Sequence, residues 1–246
     1  MAGGWAIGEE HQEIPGGRKD LKKGLLITID GPAGAGKSTV SRLLANKLSY
    51  TYLDTGALYR ALAYRCIQEG LSATDEGGIA NLCQRTGIIL QNEEGFLRVL
   101  ADGEDVTDKI RTESISLQAS AISAMPPVRA ALLSIQREAG KAGGVVAEGR
   151  DMGTIVFPEA DFKFFLEAGM NERIKRRHRE LVIRGDAVPY QNVKKDLMMR
   201  DRQDREREIA PLKVPEGAFI VDSTHVSAEG VVETILSVIR KRQAFL

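Results

Sequence analysis

The sequence predicts an α/β fold: a mainly parallel sheet with helices wound over both faces. Two observations carry this. Short apolar runs alternate with helical patterns along the chain, and a glycine-rich turn joins the first run directly to the first helix. Connections of helical length bring successive strands into the sheet pointing the same way, and ligands of such sheets lie at the carboxyl ends of the strands. At 246 residues the chain suits one core that carries a smaller inserted module.

The first strand is "LLITID", Leu25 to Asp30, apolar enough to be covered on both faces. A helix follows over Lys37–Leu48, with Val40, Leu43, Leu44, Ala45 and Leu48 as its apolar stripe. Leu58, Leu62 and Cys66 recur every four residues and predict a second helix over Thr55–Gln68, capped by Asp54 or Thr55 and ended by Gly70. A third is expected over Asp75–Arg85. Next, "GIILQ" and "FLRVLA" flank "NEEG" as two hairpin strands flank a glycine-containing loop. The stretch from about residue 71 to residue 110 is therefore expected to be an insertion in the core. Helices are predicted over Glu113–Ser123 and, past Pro126 and Pro127, along "PVRAALLSIQREAG". "GGVVAEGRD", "DFKFFLEA" and "GAFIVDST" supply three further strands, and Ala228–Arg242 closes the chain as an amphipathic helix.

Lys plus Arg and Asp plus Glu both number 34, so overall charge points neither to nucleic acid nor to a membrane surface as partner. Cys66 and Cys83 lack the CxxC spacing of a metal or redox pair and read as ordinary thiols. No run approaches the roughly eighteen apolar residues of a membrane span. A cytoplasmic monomer is expected, with residues 1–23, rich in glycine and charge, as a disordered leader before a domain over 24–246.

Chemistry enters at Gly31. Gly31, four residues, Gly36, Lys37 and Ser38 match G-x-x-x-x-G-K-[ST] in full, between a predicted strand and a predicted helix. Glycines let backbone N–H groups turn inward around phosphate oxygens, and the helix N-terminus adds partial positive charge. Gly31, Pro32, Ala33, Gly34, Ala35, Gly36, Lys37, Ser38 and Thr39 thus form a candidate cradle for ATP. Lys37 is expected to reach the β and γ phosphates, and the Ser38 hydroxyl to coordinate Mg2+. Such a loop names a donor and no acceptor. A GTP switch fits poorly: the DxxG at Asp75–Gly78 follows "EGLSAT", which is no buried strand, and "NKLS" at Asn46 lacks the aspartate of a guanine reader.

Three other stretches bear on the acceptor: "YLDTGALYR" ending at Arg60, "AEGRDMGTIVFP" around Arg150 and Asp151, and "RDRQDREREIAPL" from Arg200. With the loop, they resemble the bacterial cytidylate kinase family, in the same order, from about Leu25 to the C-terminus. The resemblance implies a P-loop kinase core with a small inserted module that binds the nucleoside monophosphate and a mobile lid. It also implies transfer of the γ-phosphoryl group of ATP to CMP or dCMP. Carried over residue by residue, it makes Lys37, Arg150, Arg200 and Arg207 catalytic, and it places Arg60, Arg150, Arg200 and Arg207 on the acceptor phosphate or the transferring group. Asp151, Ser120 and Arg129 would recognise the pyrimidine, Thr55 would lie near the nucleotide, and Asp204 would meet the sugar hydroxyls.

Independent chemistry agrees with that set. Two anionic nucleotides meet only if cations are aimed at the gap between them, and the planar fork of arginine grips phosphate oxygens in pairs. A carboxylate suits the exocyclic amine of cytosine, although Asp151 could instead cap a helix or order the water of a magnesium ion, and Ser120 and Arg129 could lie on an ordinary surface helix. A phosphate acceptor, mostly ionised at neutral pH, needs no general base, so His11, His178 and His225 carry no expected role. Residues 171–207 are densely charged, interrupted at Gly185 and Pro189, and are expected to form the lid. A kinase for another small acceptor, and a nucleotide-gated binding protein that hydrolyses ATP or GTP, remain as alternatives.

Overall fold

The computed structural model describes residues 24–93 and 96–243. The expected leader lies outside them. Strand β1 (Leu26–Asp30) leads through the glycine-rich loop into α1 (Lys37–Leu48). Then comes β2 (Thr51–Asp54), a four-residue strand absent from the expectation, followed by α2 (Thr55–Gln68) and α3 (Glu76–Arg85). The hairpin β3 (Ile88–Glu93) and β4 (Phe96–Ala101) pairs antiparallel and gains a short third strand, β5 (Glu104–Asp105). Past a 3-10 turn at Lys109–Arg111 come α4 (Glu113–Ile122), α5 (Pro126–Gly140) and β6 (Val145–Gly149). A π-helical turn over Met152–Val156 leads to β7 (Phe162–Glu167), α6 (Met170–Ile183), α7 (Tyr190–Glu206), β8 (Phe219–Asp222) and α8 (Ala228–Gln243).

The main sheet runs β2-β6-β1-β7-β8, and every pairing in it is parallel. Its centre reads as expected for strands covered on both faces: β6 is buried at all five positions. Register fixes the site. Asp54 on β2, Glu148 on β6 and Ile29 on β1 lie side by side near the carboxyl ends, and Asp30 pairs with Gly149.

Two large apolar clusters divide the molecule. One lies between the sheet, α1 and α8, with Ile27, Leu44, Phe164 and Ile235 fully buried. The other joins α2, α3, α4 and α5 with β3 and β4 around Leu58, Leu62, Ile79 and Ile122. The hairpin module therefore shares its core with α2, α4 and α5 and has no separate one. A smaller cluster, Ile174, Leu181, Val193 and Leu197, holds α6 against α7 and includes Ala33 of the glycine-rich loop. Among the described histidines His225 is exposed, and His178 packs edge-on against Tyr190 with 5.5 Å between ring centres. No described helix is long and apolar enough to cross a membrane.

Candidate active site

The loop from Gly31 to Ser38 closes at the carboxyl end of β1, where its backbone has no room for side chains. A Cβ on Gly31, at φ 148°, would stand 2.1 Å from the Leu166 carbonyl oxygen. Gly34 and Gly36 also take positive φ, 75° and 92°, a region that L side chains rarely enter. Lys37 begins α1 and folds back so that its ammonium donates to the Pro32 carbonyl at 2.8 Å. Burial first, then the neighbouring Arg150, pushes its pKa down to about 7. Ser38 and Thr39 face outward, while Pro32, Ala33 and Ala35 are buried beneath.

In front of the loop lies a cavity of about 970 Å³. Its walls include Lys37, Ser38, Thr55, Arg60, Ser120, Arg129, Arg150, Asp151, Arg200, Asp204 and Arg207. The side chains that the sequence nominated from five separate segments thus converge on one space. Gly31, Pro32 and Ala35 shape the loop from behind without lining the cavity.

Each arginine is oriented by a carboxylate or a carbonyl. Asp54 caps α2 by accepting from the Ala57 N–H at 3.0 Å, and its second oxygen accepts from Arg60 Nη2 at 2.9 Å. Arg150 Nε donates to Asp204 Oδ2 at 2.7 Å. Burial opposes the charge on Arg150, but Asp204 outweighs it and holds the guanidinium protonated. Arg207 Nε donates to the Ala210 carbonyl at 2.7 Å and Nη1 to the Ser123 hydroxyl at 3.1 Å. Arg200 has Glu113 at 3.7 Å, and burial followed by Arg150 lowers its pKa to about 10. Arg60 Nε, Arg200 Nε and Arg207 Nη2 are buried without a hydrogen-bond partner among the described residues. Several guanidinium groups around one cavity are what an anionic ligand requires.

At the far end, Arg129 Nη2 donates to Asp151 Oδ2 and Arg129 Nη1 to the Ser123 carbonyl. Arg129 is 9% exposed, so it is no surface-helix arginine, and Asp151 caps nothing with its side chain. The π-helical turn is secured instead by Asp30, whose two oxygens each accept a backbone N–H, from Met152 and Gly153, both at 2.8 Å. Burial raises the Asp30 pKa to about 6. Ser120 donates to Gln203 of α7 at 3.1 Å, and the Thr55 hydroxyl donates to the Glu148 carbonyl at 2.7 Å.

A family model described as cytidylate kinase matches residues 27–241. The chain belongs to the cytidylate kinase family. Curated relatives bearing that name agree. One from Citrifermentans bemidjiense is 47% identical over 91% of this chain and 96% of its own, and one from Carboxydothermus hydrogenoformans is 48% identical over 89% and 99%. A third, from Geobacter sulfurreducens, is 45% identical over 90% and 95%.

Sequence reasoning missed several groups on the walls of this cytidylate kinase site. Glu148 is 3% exposed; its carboxylate accepts from the Tyr52 hydroxyl, and its Oε2 has no hydrogen-bond partner among the described residues. Burial, then Asp54, raises its pKa, while Lys37 acts in the opposite direction. An acidic residue inside the apolar run "GGVVAEG" was the available signal. Arg176 was hidden in a charge-dense helix. It donates to the Ser223 carbonyl at 2.6 Å and to the Ser223 hydroxyl at 3.0 Å, tying α6 to the turn after β8.

Proposed function

We propose that this chain transfers the γ-phosphoryl group of ATP directly to CMP or dCMP, releasing ADP and CDP or dCDP, with Lys37, Arg60, Arg150, Arg200 and Arg207 converging on the phosphates that react. The observation that supports the residue assignment most is the single cavity they line together with the glycine-rich loop. ATP places its β and γ phosphates in the loop, where backbone N–H groups and the start of α1 face them. Lys37 releases the Pro32 carbonyl and turns to the γ-phosphate. Arg60 holds the acceptor phosphate, and Arg150, Arg200 and Arg207 offset the charge that gathers between the two nucleotides. A phosphate oxygen attacks in line, so no side chain removes a proton. Asp151, aligned by Arg129, accepts from the exocyclic amine of cytosine with Ser120 beside it; Asp204 reaches the sugar and Thr55 the nucleotide.

Mg2+ suits the residues present, because the exposed Ser38 hydroxyl stands close to the buried Glu148 carboxylate, whose Oε2 has no hydrogen-bond partner among the described residues. Ser38 would hold the ion and Glu148 would accept from its water. Such an ion supplies charge neutralisation on the β and γ phosphates. Residues 171–207 act as the lid, with the 71–110 module and α4 closing the acceptor side. We further read the chain as a cytoplasmic monomer.

The test is a panel: purified protein with ATP, Mg2+ and CMP, dCMP, UMP or AMP in turn, products separated by ion-exchange chromatography. CDP or dCDP should form at least about tenfold faster than UDP or ADP, the discrimination of one good base contact. Equal turnover of AMP would remove the base assignment, and ATP loss without any phosphorylated acceptor would remove the reading altogether.

A further inference from the structure

We infer that Arg173 and Asp201, which do not themselves line the cavity, form a positioning pair that sets the register between the phosphate loop and the arginine-bearing helix α7. Arg173 lies in the first turn of α6, with its side chain 5% exposed; Asp201 lies in α7, with its side chain 8% exposed. The guanidinium is used in three directions. Nε donates to the Ala168 carbonyl at the end of β7, Nη1 to the Ala33 carbonyl of the phosphate loop, each at 3.0 Å, and Nη2 meets Asp201 Oδ2 at 2.6 Å. The loop rests on the same residue from another side, since a Cβ on Gly34 would lie 3.1 Å from the Arg173 carbonyl oxygen. The Ala33 methyl completes the apolar cluster between α6 and α7.

What this arrangement fixes follows from the spacing in α7. Asp201 is adjacent to Arg200 and three residues before Asp204, which holds Arg150. Moving Asp201 therefore moves Arg200 directly and Arg150 through its partner, relative to the backbone that receives the donor phosphates.

Stability alone gives no reason to place ions here. A buried ion pair is commonly matched or exceeded in stability by apolar residues of similar volume, because both charges lose their water. Met and Leu are the natural apolar replacements, because Ile174 follows Arg173 and Leu197 lies one turn before Asp201, both in the apolar cluster between α6 and α7. They could not donate to two carbonyls and grip a helix carboxylate at once; a guanidinium can. A misplacement on the order of 1 Å in a phosphoryl-transfer site costs up to about 100-fold in rate.

The inference rests on the site reading given above, and one experiment separates the two. The double variant Arg173→Met with Asp201→Leu removes both charges and should still fold, melting below the wild type because the Ala33 and Ala168 carbonyls lose their donor, while kcat for CDP formation falls by about 10- to 100-fold per folded molecule with both KM values changed far less. Asp201→Asn, milder in shape, should lower kcat about tenfold per folded molecule counted by circular dichroism. Wild-type kcat in the folded double variant overturns the inference. So does a kcat loss in either variant that merely tracks the folded fraction; should the double variant not fold, Asp201→Asn decides by the same two criteria. Lys37→Ala is the control: if it retains activity, the site reading itself has failed rather than the pair.

Discussion

The two sides of the cavity are built from different materials. On the donor side the surface is backbone, pressed so closely against the sheet that a methyl group on Gly31 would collide with Leu166. On the acceptor side it is side chain, a set of long guanidinium groups each held by a carboxylate or a carbonyl. Backbone donors cannot be retuned one at a time, whereas an arginine and its partner can. Under the proposed assignment, the contrast teaches where specificity can reside: a triphosphate common to every nucleoside triphosphate would meet a rigid generic surface, and the distinctive acceptor an adjustable one.

That contrast can be broken at its donor end first. Lys37→Ala should abolish phosphoryl transfer, a loss on the order of 10³-fold or more in kcat, with the fold intact by circular dichroism, since Lys37 makes one hydrogen bond to its own loop and packs in no apolar cluster. A variant that turns over CMP at even a tenth of the wild-type rate would mean that the loop is not the phosphate cradle.

On the acceptor side, Arg150→Met should lower kcat by about 10³-fold, the lower end of what an arginine at a transferring phosphoryl group contributes. Asp204 then loses its main partner, so the melting temperature should fall as well. An unchanged kcat would place Arg150 in a purely structural role.

Asp151→Asn sharpens the comparison at base choice, while also removing one charge of the buried pair with Arg129. An amide that presents donors as well as an acceptor no longer favours the amine of cytosine, and the CMP to UMP ratio of kcat/KM should drop by about 10- to 100-fold. Competition between the two monophosphates in one assay reads that ratio directly; an unaltered ratio removes Asp151 from base recognition.

The smallest effect concerns protons. Burial and Arg150 hold Lys37 near pKa 7, and contact with triphosphate oxygens would raise that value. A group whose pKa rises on binding takes up a proton, so ATP binding at pH 8 should take up a fraction of one proton per site and weaken as pH climbs further. Calorimetry in two buffers of different ionisation enthalpy measures the uptake, which Lys37→Met should eliminate. No uptake in the unmodified protein would contradict the depressed pKa.

Legibility in the sequence divided along the same line. The cradle was readable residue by residue because its chemistry is local: a strand, two indispensable glycines, a lysine and a serine within fourteen positions of β1 and α1. The arginines needed family motifs, since an arginine in "RDRQDRER" has no local mark that separates it from a solvated helix face; burial of the Arg207 side chain to 6% exposure arises only when α7 packs beside α4. Strand β2 escaped notice because four residues between two helices are too few for a periodic pattern, and half of them are polar. Arg173 and Arg176 were lost for a similar reason, as the partners that single them out are carbonyls supplied by distant turns.

Asp30 sits on the strand that feeds the phosphate loop, yet its two oxygens grip the turn that presents Asp151. One carboxylate therefore yokes the phosphate loop to the proposed pyrimidine reader. Grafting the connection between β6 and β7 from an enzyme of different base preference would transplant a loop without its mooring, unless the residue before Gly31 travelled with it.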